Sequence, residues 1–336
     1  MKKILLLTAM FTGFTQADTS VVYEGESGVG AGKHIVFLAS DHEYRSEESC
    51  PALARILAKH HGFKCTVVFG VDKDGFIEAG SSNISGLGAL KDADLFFIGA
   101  RFLNPPAEEM AALEAYLERG GPVVGLRTSS HAFKIPKDSP YAKYDFRSKT
   151  EGFENGFGHQ ILGNTWVGHY GKNHQQACRV EILPEQKDHV ILTGVTDKAY
   201  NYVGGYMAKP GPDFTVLTNI QPLVSLEPDA EPDPKKPAVA SNWTRHYKDA
   251  DGDKHRVFHS TSGASQDFLS EDYRRMVING VFWALGMEKA IKPDLNIKFV
   301  GPYTPSNFSF DGAVKGIKPS DLAGWDSPIM PAEKEK

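Results

Sequence analysis

The chain has few cysteines, no surplus of positive charge and no long apolar run, and each shortage removes a class of protein. Cys50, Cys65 and Cys178 are the only cysteines in 336 residues, too few for a disulfide scaffold. No CxxC pair gives them a metal-type spacing. One pair could bridge and leave one over. Cys65 (FKCTVVF) and Cys178 (ACRVEIL) nevertheless lie in apolar runs, where cysteine serves as a small buried hydrophobe. The formal net charge of −5 argues against nucleic acid as a partner, since phosphates need a basic face. No basic amphipathic helix is available for a membrane surface. Also missing are internal repeats and an HExxH zinc motif.

The most apolar stretch, residues 4–14 (ILLLTAMFTGF), falls short of the ~20 residues that span a bilayer. Preceded by Lys2 and Lys3 and followed by the small-x-small Thr15-Gln16-Ala17, it reads as a secretory signal over 1–17, cleaved before Asp18. The expectation is a periplasmic or secreted protein with no membrane span after cleavage and no cysteine placed for a lipid anchor. Removal of two lysines leaves the mature chain more acidic.

Residues 18–32 (DTSVVYEGESGVGAG) read as a flexible lead. A strand–helix rhythm then sets in. Residues 34–40, 64–69, 94–100 and 122–126 are short apolar or β-branched runs fit for central parallel strands. Between them, residues 47–61 carry Leu53, Ile56 and Leu57 at helical spacing, with Pro51 near the start and Gly62 as the stop. A second helix runs from Pro105-Pro106 to about Arg119 through Met110, Leu113, Tyr116 and Leu117. Such alternation predicts an α/β domain over 33–290, a doubly wound, mostly parallel sheet with helices on both faces. Residues 134–176 break the rhythm as an aromatic, His-rich insertion of the kind that serves a site. Strands resume at 177–183, 213–218, 238–244 and 256–261, and a last helix spans 270–285. Residues 291–336 should lie extended on the surface and fray by residue 325.

Chemistry collects where the first and fourth strands end, the edge at which open α/β sheets build their sites. The first strand runs into Ser40-Asp41-His42-Glu43-Tyr44-Arg45. His42 suits a general base or a metal ligand, and Arg45 could hold an anionic or hydroxylated ligand; a helix-capping turn is the plain alternative. Arg101 follows the third strand in the same manner. The fourth strand runs into Arg127-Thr128-Ser129-Ser130-His131, in the position of a nucleophile elbow. Charged Arg127 has no lone pair with which to attack, but it suits a carbonyl, enolate or carboxylate. Ser129 and His131 are offered as substrate contacts, since neighbours in sequence rarely face each other as a Ser/His pair. His159, His169 and His174 share the aromatic insertion with Trp166 and Tyr170, whose flat faces could pack a sugar ring. A divalent metal would draw on His42, His131, His159 and His169. Asp267 and Glu271, near a helix start, are simplest as caps.

Taken together, the turn at His42, GGPVVGLRTSSHAF, LGNTWVGH, DHVILTGV, NWTRHY with RVFHSTSG, and NGVFWALG resemble the ThuA-like (trehalose utilisation) family of the class I glutamine amidotransferase-like superfamily. The resemblance covers roughly residues 33–287. It implies a flavodoxin-like sheet and a role in glycoside or keto-sugar metabolism, with His42 and His169 carried over as functional positions. Arg127 stands where the family usually has an elbow His, with His131 following closely, and Ala264 stands where many relatives show His. Three readings follow: an enzyme acting on (keto-)glycosides, with His42 or His169 as base and Arg127 as enolate clamp; a non-catalytic sugar-binding or scaffold protein; and a metal-dependent hydrolase. A working glutamine amidotransferase is not among them. Which sugar is bound and the oligomeric state are left open by the sequence.

Overall fold

Ile35 and Phe37 join the apolar cluster on one side of the sheet while Val36 and Leu38 join that on the other, so their strand needs cover on both faces. The structure, a computed structural model, describes residues 19–249 and 251–330; the signal segment expected over 1–17 and its cleavage point lie outside the described residues. The strands are β1 (Ser20–Glu24), β2 (His34–Ser40), β3 (Lys64–Phe69), β4 (Leu95–Ala100), β5 (Val123–Leu126), β6 (His169–Tyr170), β7 (Cys178–Ile182), β8 (Tyr200–Asn201), β9 (Gly205–Tyr206), β10 (Thr215–Pro222), β11 (Val239–Lys248) and β12 (Lys254–Ser260). The α-helices are α1 (Ser46–His61), α2 (Ala107–Glu118) and α3 (Glu271–Ala284).

Ten strands form one sheet in the order β1-β3-β2-β4-β5-β12-β11-β10-β7-β8. α1 and α3 cover one face through Leu53, Ile56, Leu57, Val277 and Phe282. α2 covers the other through Met110, Leu113 and Leu117. The expected α/β layering with helices on both faces is therefore present. The expectation of a mostly parallel sheet is corrected. β3-β2-β4-β5-β12 are parallel, but β1 and the run β12-β11-β10-β7-β8 pair antiparallel. The reason is connectivity. β11 ends at Lys248 and β12 begins at Lys254, and so short a connection can only link antiparallel neighbours.

Two terminal expectations also change. Within the supposed flexible lead, residues 20–24 alternate, with Val21 and Tyr23 buried and Val22 exposed, and they pair as β1 along β3. The C-terminal segment is irregular, as a Pro/Gly-rich chain should be, yet it is packed rather than fraying. Arg55, fully buried, donates to the carbonyls of Leu322 (2.8 Å) and Ser327 (2.7 Å). Trp325 packs on Tyr23, and Ile329 and Met330 are buried. All three cysteines are free and buried, so the bridged alternative falls away. Among the described residues no helix is long and apolar enough to cross a membrane.

Candidate functional site

β2 connects to β3 on one side and β4 lies on the other, so the chain order reverses between β2 and β4. The carboxyl ends of strands at such a switch point leave a crevice that no crossover helix covers. Three consecutive strand-end turns bordering it hold a non-glycine residue in the left-handed region: Arg45 (φ 62°), Phe102 (φ 53°) and Arg127 (φ 41°). Each costs about 1–3 kcal/mol and persists only where its surroundings over-determine it. Phe102 is fixed by its N–H on the His131 carbonyl (3.1 Å), between Arg101 N–H on Ser40 (3.2 Å) and Leu103 N–H on Ala132 (2.7 Å).

The turn after β2 is organised by Asp41, which is buried and accepts from the backbone N–H groups of Glu43 (2.6 Å) and Tyr44 (2.8 Å) and from the Thr128 hydroxyl. Gly80 lets this turn pass close by, since a Cβ there would sit 2.4 Å from His42 Cβ. Arg45 does not face a ligand. It is fully buried, paired with Glu47 (3.1 Å) and donating to the Ser309 carbonyl of the C-terminal segment. Glu48 accepts from the Ser306 N–H (2.9 Å) and hydroxyl. Burial pushes Glu47 up to about 7 against the pull of Arg45.

The turn after β5 brings a different set together. The Arg127 guanidinium lies 3.9 Å from the Tyr44 ring centroid and 4.6 Å from that of Tyr206, and donates to the carbonyls of Gly204 (2.6 Å) and Thr261 (3.2 Å). His131, also buried, meets Phe102, Trp166 and Tyr206 at centroid distances of 5.0, 5.4 and 5.7 Å. Its Nδ1 contacts the Ser130 hydroxyl at 3.1 Å. His169, on β6 and exposed along one edge, packs edge-on to Trp166 (5.7 Å) and Tyr206 (5.5 Å). Its Nε2 lies 3.3 Å from the Tyr44 hydroxyl, which accepts from Asn173 Nδ2 at 3.0 Å. His42, half-buried, sits against Phe102 (6.3 Å) and Phe310 (5.5 Å). Arg101 is ion-paired to Glu43 and lies over both of those rings.

Burial and the two guanidinium groups keep these imidazoles uncharged. His131 is pushed down to about 2 by desolvation first and then by Arg101 and Arg127. His42 is lowered by desolvation, then by Arg101; His169 by desolvation, then by Arg127. Burial raises Tyr44 despite Arg127, so its hydroxyl stays protonated. Four buried nitrogen atoms, Arg127 Nε and Nη2, His131 Nε2 and Trp166 Nε1, have no hydrogen-bond partner within the protein.

Other sequence candidates lie elsewhere or serve the frame. The Ser129 hydroxyl donates to the Ile98 carbonyl (2.6 Å) from a fully buried position. Tyr170 points its hydroxyl at the Pro237 carbonyl (2.7 Å). His159 is exposed on the short turn Gly158–Leu162, and its carbonyl accepts from Arg245 (3.2 Å). His174 stacks on Phe308 at 4.1 Å, at the edge of the set, where Phe308 also stacks on Tyr44. Asp267 acts as the expected cap, accepting from Gly263 (2.9 Å) and Ala264 (3.0 Å) N–H. Among the described residues no group of three or more His, Cys, Asp or Glu is placed to hold a metal ion. Tyr44, Phe102, Tyr206, Phe308 and Phe310 belong to the site and were not singled out. Tyr44 was readable as part of the polar turn DHEYR; the others depend on long-range packing.

No family model matches the sequence, and no curated protein matches it. Solved structures similar to it include two proteins described as ThuA-like. That from Parabacteroides merdae has a TM-score of 0.47 at 14% identity, covering 82% of this chain and 96% of its own. That from Bacteroides uniformis has a TM-score of 0.46 at 14% identity, covering 82% of this chain and 100% of its own.

Proposed function

We propose that the chain is a ThuA-like protein of carbohydrate metabolism that abstracts a proton next to a sugar ketone, and we proceed from that premise. The ordered motifs between His42 and Gly286 support the family reading, and the β3-β2-β4-β5-β12 parallel order supports a flavodoxin-like core. The observation that carries the chemistry is the group of uncharged imidazoles, His42, His131 and His169, beside two guanidinium groups. An uncharged imidazole is a base ready for use at neutral pH.

His169 is the favoured base, because it is the accessible member and Tyr44 orients its Nε2. In a 3-keto-glycoside the C3 carbonyl acidifies the C2 proton. His169 takes that proton, the electron pair forms the C1–C2 double bond, and the C1–oxygen bond breaks. The proton on His169 then passes to the departing alkoxide. Arg127 is enclosed by Tyr44 and Tyr206, so it serves as a fixed charge behind the Tyr44 hydroxyl rather than as a clamp in contact with substrate. Arg101, at the rim, is the cation a developing oxyanion would meet. The partly exposed rings of Phe102, Trp166 and Phe310 suit the apolar faces of a pyranose.

The test is incubation of purified protein with 3-keto-glycosides and their unoxidised parents. Release of aglycone from the keto form alone supports the proposal. Binding of plain glycosides without conversion favours the non-catalytic reading, which Arg127 at the elbow position would suit. Export remains part of the proposal, supported by residues 1–17; the N-terminal mass of protein recovered from the producing cell checks it, with a chain starting at Asp18 expected.

A further inference from the structure

A cleft of about 850 Å³ is lined by Phe102 and Phe146, the two rings that also contact His131, and by no histidine. The two rings lie 5.0 Å apart, and Phe102 lies 5.0 Å from His131, so a wall one ring thick separates the cleft from the site. Lys134, Lys137, Arg147 and Lys149 line it and are exposed. Among the described residues none of these four side chains forms an ion pair or a hydrogen bond with the protein. The one acid in the lining, Asp145, is occupied by backbone N–H groups of Ile135 (2.9 Å) and Arg147 (2.9 Å), a turn-forming role. Nearby Lys143 is neutralised by Glu114 (2.7 Å) and is not part of this lining. Four unpaired cations in one concavity of a chain whose net charge is −5 concentrate positive potential at one place, and concave walls focus it.

We propose that this cleft binds the anionic groups of an acidic oligosaccharide, carboxylate or sulfate, and so holds the sugar units next to the one presented to His169. The inference rests on the carbohydrate reading of the site and names its substrate class. The arrangement divides the labour. Arg147, held over the Phe146 ring at 4.8 Å, offers a planar fork suited to a carboxylate or sulfate. The three lysines act as point charges around it. Phe102, in its left-handed conformation, places its one ring against His42 and His131 and against Phe146 of the cleft lining, and so sets the boundary between a charged subsite and a neutral reacting one.

The experiment uses the whole protein and three probes of equal length: a uronate oligosaccharide, a sulfated oligosaccharide and a neutral one, with binding followed by calorimetry. The expected result is binding of one or both anionic probes at least tenfold tighter than the neutral probe, weakening as salt rises through the range where the Debye length falls to about 8 Å. The combined substitution K134Q, K137Q, R147Q and K149Q lies on exposed side chains and should remove that preference by about tenfold or more, while unfolding stays unchanged. Sulfate preference over carboxylate, or the reverse, identifies the natural group. Equal affinity for the three probes, or an anionic preference that survives the fourfold substitution, overturns the proposal. Conversion of neutral 3-keto-glycosides separates the two claims. If conversion persists without anionic preference, the cleft assignment fails alone; if acidic probes bind through these four residues and no keto-glycoside is converted, the reaction fails and the binding site stands.

Discussion

The turn after β2 and the turn after β5 meet at the same crevice and are built on opposite terms. Around the first, charge is dense and answered: Asp41 has three donors, Arg45 pairs with Glu47 and Ser309, Glu48 is held by Ser306, and Glu43 by Arg101. Arg45 Nε, Glu47 Oε2 and Arg101 Nε are unpartnered there too, but on groups that already form an ion pair; around the second, Arg127 has no carboxylate partner among the described residues, and its Nε and Nη2, His131 Nε2 and Trp166 Nε1 are buried without partners. Unpaired buried polar groups cost stability, and a protein keeps them where they serve something else. The first turn is an anchor that ties α1 and the C-terminal segment together. The second is the working side. The contrast also explains why Arg45, a plausible ligand contact by sequence, is structural.

The comparison breaks most visibly if the anchor is cut. Arg45→Ala leaves the buried Glu47 carboxylate alone and frees Ser309, and should cost about 3–5 kcal/mol in denaturant unfolding. Because Glu47 titrates at about 7, a protonated Glu47 no longer needs the cation, so the loss should be smaller at about pH 6 than at about pH 8. An unchanged midpoint at both would mean that the anchor carries no weight.

On the working side, His169→Gln removes a base at an exposed position. It should lower keto-glycoside conversion by about 10²-fold or more and leave unfolding within about 0.5 kcal/mol. Loss of stability equal to the loss of activity would mark His169 as another anchor.

His131 sharpens the contrast through pH. Its folded value of about 2 lies well below the ordinary imidazole value of 6.5, so the unfolded chain binds the proton more readily. Stability from this residue is full above 6.5 and is lost as pH falls below it. Each pH unit should cost about 1.4 kcal/mol, and His131→Gln should be free of that slope. His259, buried and pushed down to about 3 with Nδ1 at 2.8 Å from the Gly125 carbonyl, adds a similar slope that the variant retains. Parallel pH profiles for wild type and variant would show that His131 is not held neutral.

The smallest expected effect is at the rim. Phe310 is 57% exposed and lies against His42 and Arg101. Phe310→Ala should change stability by no more than about 0.5 kcal/mol and weaken sugar binding about threefold, as expected for one lost ring contact. Equal affinity would confine the site to the β5 side.

Apolar periodicity made the parallel half of the sheet legible, because His34–Ser40, Lys64–Phe69, Leu95–Ala100 and Val123–Leu126 are short buried runs bounded by turns. Gly62 stops α1 with φ 81° as its position suggests, although Pro51 lies inside the helix rather than in its first turn. That His42, Arg127 and His131 gather at one rim was also readable, since polar residues after buried strands share the carboxyl edge; His169 reaches it from the insertion, on β6 outside the main sheet. Three things were hidden. Left-handed Arg45, Phe102 and Arg127 carry no local signal, because a non-glycine residue adopts that conformation only under tertiary constraint. β1 was masked by the Gly-rich residues that follow it. The C-terminal segment has no periodicity to betray that Ser306, Phe308, Ser309 and Phe310 complete the rim, since each contact joins residues more than two hundred positions apart or depends on a neighbour that is so joined.

The most direct test of the account is an NMR titration of the histidine ring resonances from about pH 8 to about pH 5 in the intact protein. The account expects the midpoints of His42 and His169 below 6.5 and no titration of His131 across the range. A midpoint at or above 6.5 for any of the three would contradict the claim that burial and the charges of Arg101 and Arg127 keep this site's bases neutral.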